Sequence, residues 1–256
     1  MTPTVVGLIP ARGGSKRVAR KNVRVLAGHP MVAYTIAAAR ESGIFSDVIV
    51  STEDEETADI ARRYGATVSI RPREFAGDGS PDIQWVRHTL ESLRNEGNGT
   101  DCFSILRPSS PFRQAGTIRR AWKVFLSQPD ADSLRAVEKC RQHPCKMWII
   151  DGDRMRPLLA AGDSTTPAHS TPYEMLPPVY VQNASLEIAW TRVVFEKGTI
   201  AGDEIVPFLT EDYEGLDINF PQDWLMAEDL IARGIAHLPP LSSISQTTGS
   251  ESPTSI

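Results

Sequence analysis

The densest group of residues able to do chemistry lies near the start of the chain. An apolar, β-branched run over residues 5–9 is typical of a buried strand. Directly after it come two glycines, a serine and six cations: Arg12, Lys16, Arg17, Arg20, Lys21 and Arg24. Backbone N–H groups and cations in one loop suit a polyphosphate, because the donors bind its oxygens and the cations offset its charge. We therefore interpret this first loop as a phosphate site, the alternative being a solvated basic loop.

The remainder of the chain alternates between short apolar strands and amphipathic helices. The patterns predict helices at 29–42, 53–64, 82–95, 115–127 and 223–232, and strands at 47–52, 67–70, 101–106, 133–137 and 179–190. This alternation predicts an α/β fold with a mostly parallel sheet flanked by helices. In such sheets, ligands bind at the carboxyl ends of the strands, where the first loop begins.

Two segments depart from this alternation. Residues 140–178 contain repeated prolines, and we interpret them as an excursion from the core, either a dimerisation arm or a lid. Residues 242–256 are rich in serine and threonine and nearly lack apolar side chains, so we expect a disordered tail. The predicted catalytic domain therefore covers residues 1–241.

Composition narrows the possible partners. The net charge of −5 argues against general attraction to nucleic acid, so the basic loop is a local feature. No apolar run approaches the roughly 20 residues of a membrane span, and the first residues lack the layout of a signal peptide. Only three cysteines occur among 256 residues, which favours reduced thiols and a cytoplasmic location.

The first loop lacks both the P-loop pattern and the dinucleotide fingerprint Gly-x-Gly-x-x-Gly, which disfavours a nicotinamide oxidoreductase. It instead resembles the acylneuraminate cytidylyltransferase family through Pro10-Ala11-Arg12-Gly13-Gly14-Ser15-Lys16 followed by Arg20-Lys21-Asn22. The likeness extends over residues 5–232. It implies a Rossmann-like nucleotidyltransferase fold, transfer of CMP from CTP to an acidic sugar, release of pyrophosphate, dependence on Mg²⁺ and usually a homodimer.

Nucleotidyl transfer requires alignment and neutralisation of phosphate charge rather than covalent catalysis. We expect Arg12 and Lys21 to do this catalytic work, together with Asp217 as a ligand of Mg²⁺. The family commonly has Asp-x-Asp at this place, whereas here the second position is Asn219, whose amide oxygen can coordinate a metal without adding charge. The resemblance extends the CTP site to the following set: Arg12, Gly13, Ser15, Lys16, Lys21, Asn22, Arg71, Gly79 and Ser80.

The acceptor site is where the chain departs most from the family. Arg107 replaces the usual glutamine of a Leu-Gln-Pro-Thr-Ser-Pro motif, while Lys146 and Asn183 keep family residues. Tyr173 stands where the family has a cation for the sugar carboxylate, and a tyrosine cannot balance that charge. We hypothesise that Arg107 supplies it from a facing loop.

Three functions stay open on this basis. The first is a cytidylyltransferase for a nonulosonic (sialic-like) acid. The second is the same reaction on another anionic acceptor, such as a phosphonate. The third is a nucleotide-binding protein that has lost turnover with the second aspartate. The five histidines show no spacing that suggests a nucleophilic triad, and there is no Cys-x-x-Cys.

Overall fold

The centre of the fold is a seven-stranded sheet. The computed structural model describes residues 2–159 and 166–241, so the predicted tail at 242–256 and part of the excursion lie outside the described residues. The strands of this sheet are β1 (Val5–Pro10), β4 (Val48–Thr52), β5 (Thr67–Ile70), β6 (Cys102–Ile105), β7 (Ser133–Lys139), β10 (Tyr180–Trp190) and β11 (Ile205–Leu209). Their order across the sheet is β11-β7-β10-β6-β1-β4-β5. Two small sheets pair β2 (Val25–Leu26) with β3 (His29–Pro30), and β8 (Trp148–Asp151) with β9 (Arg154–Pro157).

The sheet is mostly parallel, as the alternation predicts. β1 pairs in parallel with β4 and β6, β4 pairs in parallel with β5, and β11 pairs in parallel with β7. The exception is β10, which runs antiparallel between β6 and β7. Because β1, β5 and β6 point the same way, the loops that follow them meet at one edge of the sheet.

In the part of the chain that the structure describes, six helices flank the sheet: α1 (Met31–Ser42), α2 (Glu55–Arg63), α3 (Asp82–Asn95), α4 (Ala115–Leu126), α5 (Thr191–Glu196) and α6 (Pro221–Ala232). Local sequence signals explain where several of these helices begin or end. Gly43 closes α1 with a φ of 67°, a left-handed conformation that glycine adopts without strain. Asp54 opens α2 by accepting a hydrogen bond from the N–H of Thr57 at 2.9 Å. In the described residues, no helix combines the length and the apolar character needed to cross a bilayer.

The core lies on both faces of the sheet. Adjacent residues of β1 serve opposite faces, since side chains alternate along a strand. Ile9 packs in the cluster that includes α1 and α4, while Leu8 packs with Trp85 and Phe103 on the other face. A third cluster joins α6 to α1 around Trp224. Burial on both faces explains why β1 has a continuous apolar sequence.

The excursion at 140–178 has structure of its own in its described part. It contains the β8–β9 hairpin and single helical turns at Pro144–Lys146, Ala168–Ser170 and Tyr173–Met175. The buried ring of His143 bonds the carbonyl of Pro177 at 2.9 Å. Lys146 donates to the carbonyl of Thr171 at 2.8 Å, and the hydroxyl of Tyr173 donates to the carbonyl of Cys140. These bonds tie the two ends of the excursion together.

Candidate active site

A cavity of about 310 Å³ opens at the carboxyl edge of the sheet. It is bordered by the first loop after β1, a second loop after β5, a third loop after β6, and the segment before α6. Ten of the residues predicted for the CTP, acceptor and metal sites line it: Arg12, Ser15, Lys16, Lys21, Asn22, Arg71, Ser80, Arg107, Asp217 and Asn219. Gly13 and Gly79 belong to the bordering loops but are not part of the lining.

The first loop is fixed by its own polar groups. The side chain of Asn22 donates to the carbonyl of Arg12 at 2.9 Å, which closes the loop on itself. The N–H of Gly13 donates to Glu53 at 2.9 Å, and the N–H of Ser15 donates to the carbonyl of Gly13 at 2.9 Å. A Cβ at Gly13 would lie 2.9 Å from the Cβ of Asp54, so the absence of a side chain permits this close approach to α2. Four of the six cations of the loop line the cavity, namely Arg12, Lys16, Arg17 and Lys21.

Two of these cations share one carboxylate. Arg12 bonds Asp78 of the second loop at 2.9 Å, and Lys16 bonds the other oxygen of Asp78 at 2.6 Å. The bonds from Lys16 and Arg12 hold the pKa of Asp78 below its usual range. Arg12 also donates to the carbonyl of Ala76 at 3.2 Å. The first and second loops are thus connected across the cavity mouth by the groups predicted to bind phosphate.

Lys21 lies deeper, against the segment that precedes α6. Its amine donates to the carbonyl of Ile218 at 2.6 Å and to the side-chain oxygen of Asn219 at 3.5 Å. Asn219 in turn donates to one carboxylate oxygen of Asp217. Burial lowers the pKa of Lys21, an effect that the charge of Asp217 partly opposes. The predicted catalytic lysine and the predicted metal ligand are therefore brought together through an asparagine.

The segment 217–219 is held from both sides. The N–H of Ile218 donates to the carbonyl of Ser109 in the third loop at 2.8 Å. Asp223, in the first turn of α6, accepts hydrogen bonds from the N–H groups of Asn219 at 2.8 Å and Phe220 at 2.7 Å. Asp223 therefore caps the helix, and Asp217 remains available to the cavity.

Arg71 forms part of the cavity floor. Only 5% of the residue is exposed, and burial lowers the pKa of its guanidinium to about 10. It lies over the ring of Trp85 at 4.8 Å and donates to the side chain and the carbonyl of Ser51 at 3.2 and 3.1 Å. The position of Arg71 is consequently set by the end of β4 and by α3.

Arg107 is surrounded by charge that the sequence patterns did not reveal. It bonds Asp82 at 2.6 Å and Glu187 at 2.9 Å, and Glu187 also bonds Arg135. The reversed direction of β10 explains the contact, since Glu187 lies opposite Ile105 of β6 and Arg135 of β7. The sequence does contain a signal for this network, because Arg135 and Glu187 are charged residues within otherwise apolar strands.

The other predicted acceptor residues lie outside the lining of this cavity. Lys146 and Tyr173 bond backbone carbonyls within the excursion. Asn183 donates to Thr210 at 2.9 Å and to Glu138 at 3.3 Å. Within one chain, the structure thus groups Arg107 with the predicted CTP residues and separates the remaining three from them.

Comparison with known proteins decides the family. A family model described as Cytidylyltransferase matches residues 6–96, which include the first and second loops. The CMP-N,N'-diacetyllegionaminic acid synthase of Legionella pneumophila is 32% identical over 231 residues, covering 89% of this chain and 96% of that protein. The chain belongs to the cytidylyltransferase family. It is therefore a nucleotidyltransferase, as the first loop predicts.

Two further likenesses agree with this assignment. The N-acylneuraminate cytidylyltransferase of Escherichia coli O18:K1:H7 is 38% identical over 125 residues, which are 49% of this chain and 29% of that protein. The solved structure of CMP:2-keto-3-deoxy-manno-octonic acid synthetase complexed with CTP superposes with a TM-score of 0.67, covering 90% of this chain and 99% of that one. At 13% identity the second likeness concerns the fold alone. The predicted family and Rossmann-like nucleotidyltransferase fold are confirmed.

Proposed function

We propose that this cytidylyltransferase transfers CMP from CTP to a nonulosonic (sialic-like) acid and releases pyrophosphate. The observation that carries the proposal is the single cavity that collects Arg12, Lys21 and Asp217 at the carboxyl edge of the sheet. The acceptor class follows relatives whose names specify CMP-diacetyllegionaminic acid and N-acylneuraminate. Fold and family are shared over most of the chain, so the reaction type transfers with them.

CTP would lie with its phosphates against the first loop. Arg12 and Lys16 face this part of the cavity through their bonds to Asp78, and phosphate oxygens would take the place of that carboxylate. We expect the first-loop residues Gly13 and Ser15 to shape the phosphate site and Asn22 to lie near the ribose of CTP. Cytosine would lie towards the second loop, which contributes Arg71, Gly79 and Ser80.

The chemistry needs an acceptor oxygen to attack the α-phosphorus while the bond to pyrophosphate breaks. The protein contributes position and fixed positive charge. Lys21 suits this role, because its amine is held by the carbonyl of Ile218 in a half-buried place where an electrostatic interaction is stronger than in water. Arg12 can bond two phosphate oxygens with its planar guanidinium.

The residues present fit a magnesium ion. Asp217 lines the cavity, and its Oδ1 is buried without a hydrogen-bond partner in the described structure. Its Oδ2 is held by Asn219, so Asn219 orients the carboxylate or adds an amide oxygen. Mg²⁺ is commonly held by one or two carboxylates together with substrate phosphates, so the carboxylate of Asp217 suits it. A bound Mg²⁺ would offset phosphate charge.

The excursion supports a homodimer. Its exposed apolar side chains include Ile150, Met155 and Met175, which are 77%, 60% and 75% exposed. Ile150 and Met155 lie opposite each other in the β8–β9 hairpin, and neighbouring exposed apolar side chains are typical of interaction surfaces. Lys146 and Tyr173 belong to the same excursion, and Asn183 lies just beyond it. We retain all three as acceptor contacts that a dimer would complete. Sedimentation of the wild type against Ile150→Glu tests the dimer, which the glutamate should dissociate.

A cytoplasmic location is part of the proposal. CTP is a cytoplasmic nucleotide, and the three cysteines Cys102, Cys140 and Cys145 are free thiols. Free thiols are typical of a reducing compartment.

A phosphonate is the second candidate acceptor. Arg107 lies in the cavity, whereas the segment around Tyr173 lacks the family's arginines, and a guanidinium binds a phosphonate as well as a carboxylate. The binding-protein alternative is disfavoured because the residues needed for turnover converge in one cavity.

The test is pyrophosphate release with CTP and Mg²⁺ across a panel of acids. The panel contains N-acetylneuraminate, N,N'-diacetyllegionaminate, 3-deoxyoctulosonate and small phosphonates, with UTP as the control nucleotide. Release with a nonulosonic acid supports the proposal, and Asp217→Asn should reduce it. Release with phosphonates alone would reassign the acceptor. CTP binding without release for any acid would contradict the proposed function.

A further inference from the structure

The guanidinium of Arg107 makes its two ion pairs through a single nitrogen. Nη2 donates to Oδ2 of Asp82 at 2.6 Å and to Oε1 of Glu187 at 2.9 Å. A terminal guanidinium nitrogen carries two protons, so Nη2 is fully used. Within the described residues, Nε and Nη1 of Arg107 make no hydrogen bond to the protein.

This geometry restricts how an acid can bind Arg107. A carboxylate or phosphonate that makes two parallel hydrogen bonds must use either Nε with Nη2 or Nη1 with Nη2. Both arrangements need a proton of Nη2. An acceptor that binds Arg107 in this way must therefore displace one of the two carboxylates already present.

The two carboxylates differ in how firmly they are held. The side chain of Glu187 is 4% exposed, and its second oxygen bonds Arg135 directly across the antiparallel ladder. The side chain of Asp82 is 32% exposed, lines the cavity and begins α3. Asp82 also accepts a hydrogen bond from the indole N–H of Trp85 at 2.7 Å, which it can keep after leaving Arg107. Asp82 is consequently the carboxylate that can be exchanged.

We propose that Asp82 is an exchangeable counter-ion, whose place on Arg107 is taken by the acid group of the acceptor, while Glu187 is a positioning residue that holds Arg107 in both states. The inference rests on the proposed function, since it assumes an anionic acceptor in this cavity. Arg107 then has the same number of carboxylate partners before and after binding. A neutral acceptor cannot replace Asp82, so the exchange selects for the acid.

At neutral pH Asp82 is ionised and competes with the acid group of the acceptor for Arg107. Burial by itself would raise its pKa, but the charge of Arg107 and the hydrogen bonds from Arg107 and Trp85 hold the pKa below the usual value. Displacing it therefore replaces one anion by another, and removing its charge should favour the acceptor.

The experiment compares Asp82→Asn and Glu187→Gln with wild type, measuring KM for CTP and for N-acetylneuraminate or whichever panel acid turns over. We expect Asp82→Asn to lower the acceptor KM at least threefold, because the competing charge is gone. We expect Glu187→Gln to raise the acceptor KM with a smaller effect on the KM for CTP, a split that general loss of structure would not produce. The matched control is Asp78→Asn, which removes a carboxylate from the other side of the cavity and should change the KM for CTP instead.

An unchanged or higher acceptor KM in Asp82→Asn overturns the exchange, with thermal melting used to confirm that the variant folds. If Glu187→Gln does not fold, Asp82→Asn decides the question alone. Wild-type enzyme that turns over no acid in the panel would remove the proposed function and the exchange together. Turnover by wild type with no improvement in Asp82→Asn would remove only the exchange.

Discussion

Lys21 and Lys16 offer a matched test of how the cavity uses charge, because both lie in the first loop and line the same cavity. We consider the same substitution at each, Lys21→Met and Lys16→Met, which keeps length and removes the ammonium. Lys21 is half-buried, with its amine 2.6 Å from the carbonyl of Ile218. The side chain of Lys16 is 80% exposed and pairs with Asp78. The structure therefore predicts very different losses.

The magnitude follows from these environments. A hydrogen bond from a charged group in a partly buried site contributes about 1.5–3 kcal/mol, which corresponds to a loss of roughly 10- to 150-fold in kcat/KM for Lys21→Met. An exposed charge contributes about 1 kcal/mol or less, or at most roughly fivefold, for Lys16→Met. Added salt should reduce the loss of kcat/KM in Lys16→Met more than the loss in Lys21→Met, since exposed charges are screened more strongly.

The assay is continuous pyrophosphate release with CTP varied at a fixed acceptor concentration. Thermal melting of both variants controls for folding. An equal loss of kcat/KM in Lys16→Met and Lys21→Met would refute this use of charge, as would activity of Lys21→Met within about threefold of wild type.

Three further predictions concern pH and charge. Because burial lowers the pKa of Lys21 below 10.5 and the charged form binds phosphate, kcat/KM should fall as pH rises through the lowered pKa. Lys21→Arg should remove this fall in a pH–rate profile. Asp78→Asn should lower the KM for CTP by about two- to fivefold, with less effect at about 0.5 M salt, because the phosphates no longer compete with a carboxylate; a higher KM would contradict it. Hydrogen bonds from Lys197 and from backbone N–H groups hold the pKa of Asp132 at about 2, against an ordinary 3.8. These bonds therefore stabilise the folded state fully above pH 3.8, and this stabilisation is lost as the pH falls through 2. Acid titration of unfolding free energy should show a smaller loss over this interval in Asp132→Asn.

The features that could be predicted are those that depend on the local sequence. The first loop follows β1 as expected, and α3 covers the predicted residues 82–95. The convergence of three loops follows from parallel strand direction, which brings Arg12, Arg71 and Arg107 to one edge of the sheet. Capping residues such as Gly43 gave helix ends to within a few residues.

Features that depend on tertiary pairing were missed. β11 was not predicted because it is short and contains Pro207, which is tolerated there since β11 is an edge strand. The antiparallel direction of β10 has no local signature, so the approach of Glu187 to Arg107 could not be derived. Asp78 and Asp82 lie in a loop and a helix start where acidic residues are ordinary, and only the folded cavity shows what they contact.

The resemblance to the family predicted which residues belong to the site better than it predicted where they lie in the structure. It identified Lys146 and Tyr173 as acceptor residues, yet both lie outside the cavity that holds the CTP candidates. Their positions depend on how the excursion packs, which motif matching does not describe. By contrast, Lys21 and Asp217 are separated by most of the chain and still meet, because the third loop holds the segment before α6 through the bond from Ile218 to Ser109.

The most direct test of the account is mass spectrometry of the products formed from CTP, Mg²⁺ and N,N'-diacetyllegionaminate or N-acetylneuraminate, with pyrophosphate measured in the same reaction. We expect a CMP-linked acid and pyrophosphate in equal amounts, formed at a rate that falls in Lys21→Met. Pyrophosphate without a CMP-linked acid, or neither product despite CTP binding, would contradict it.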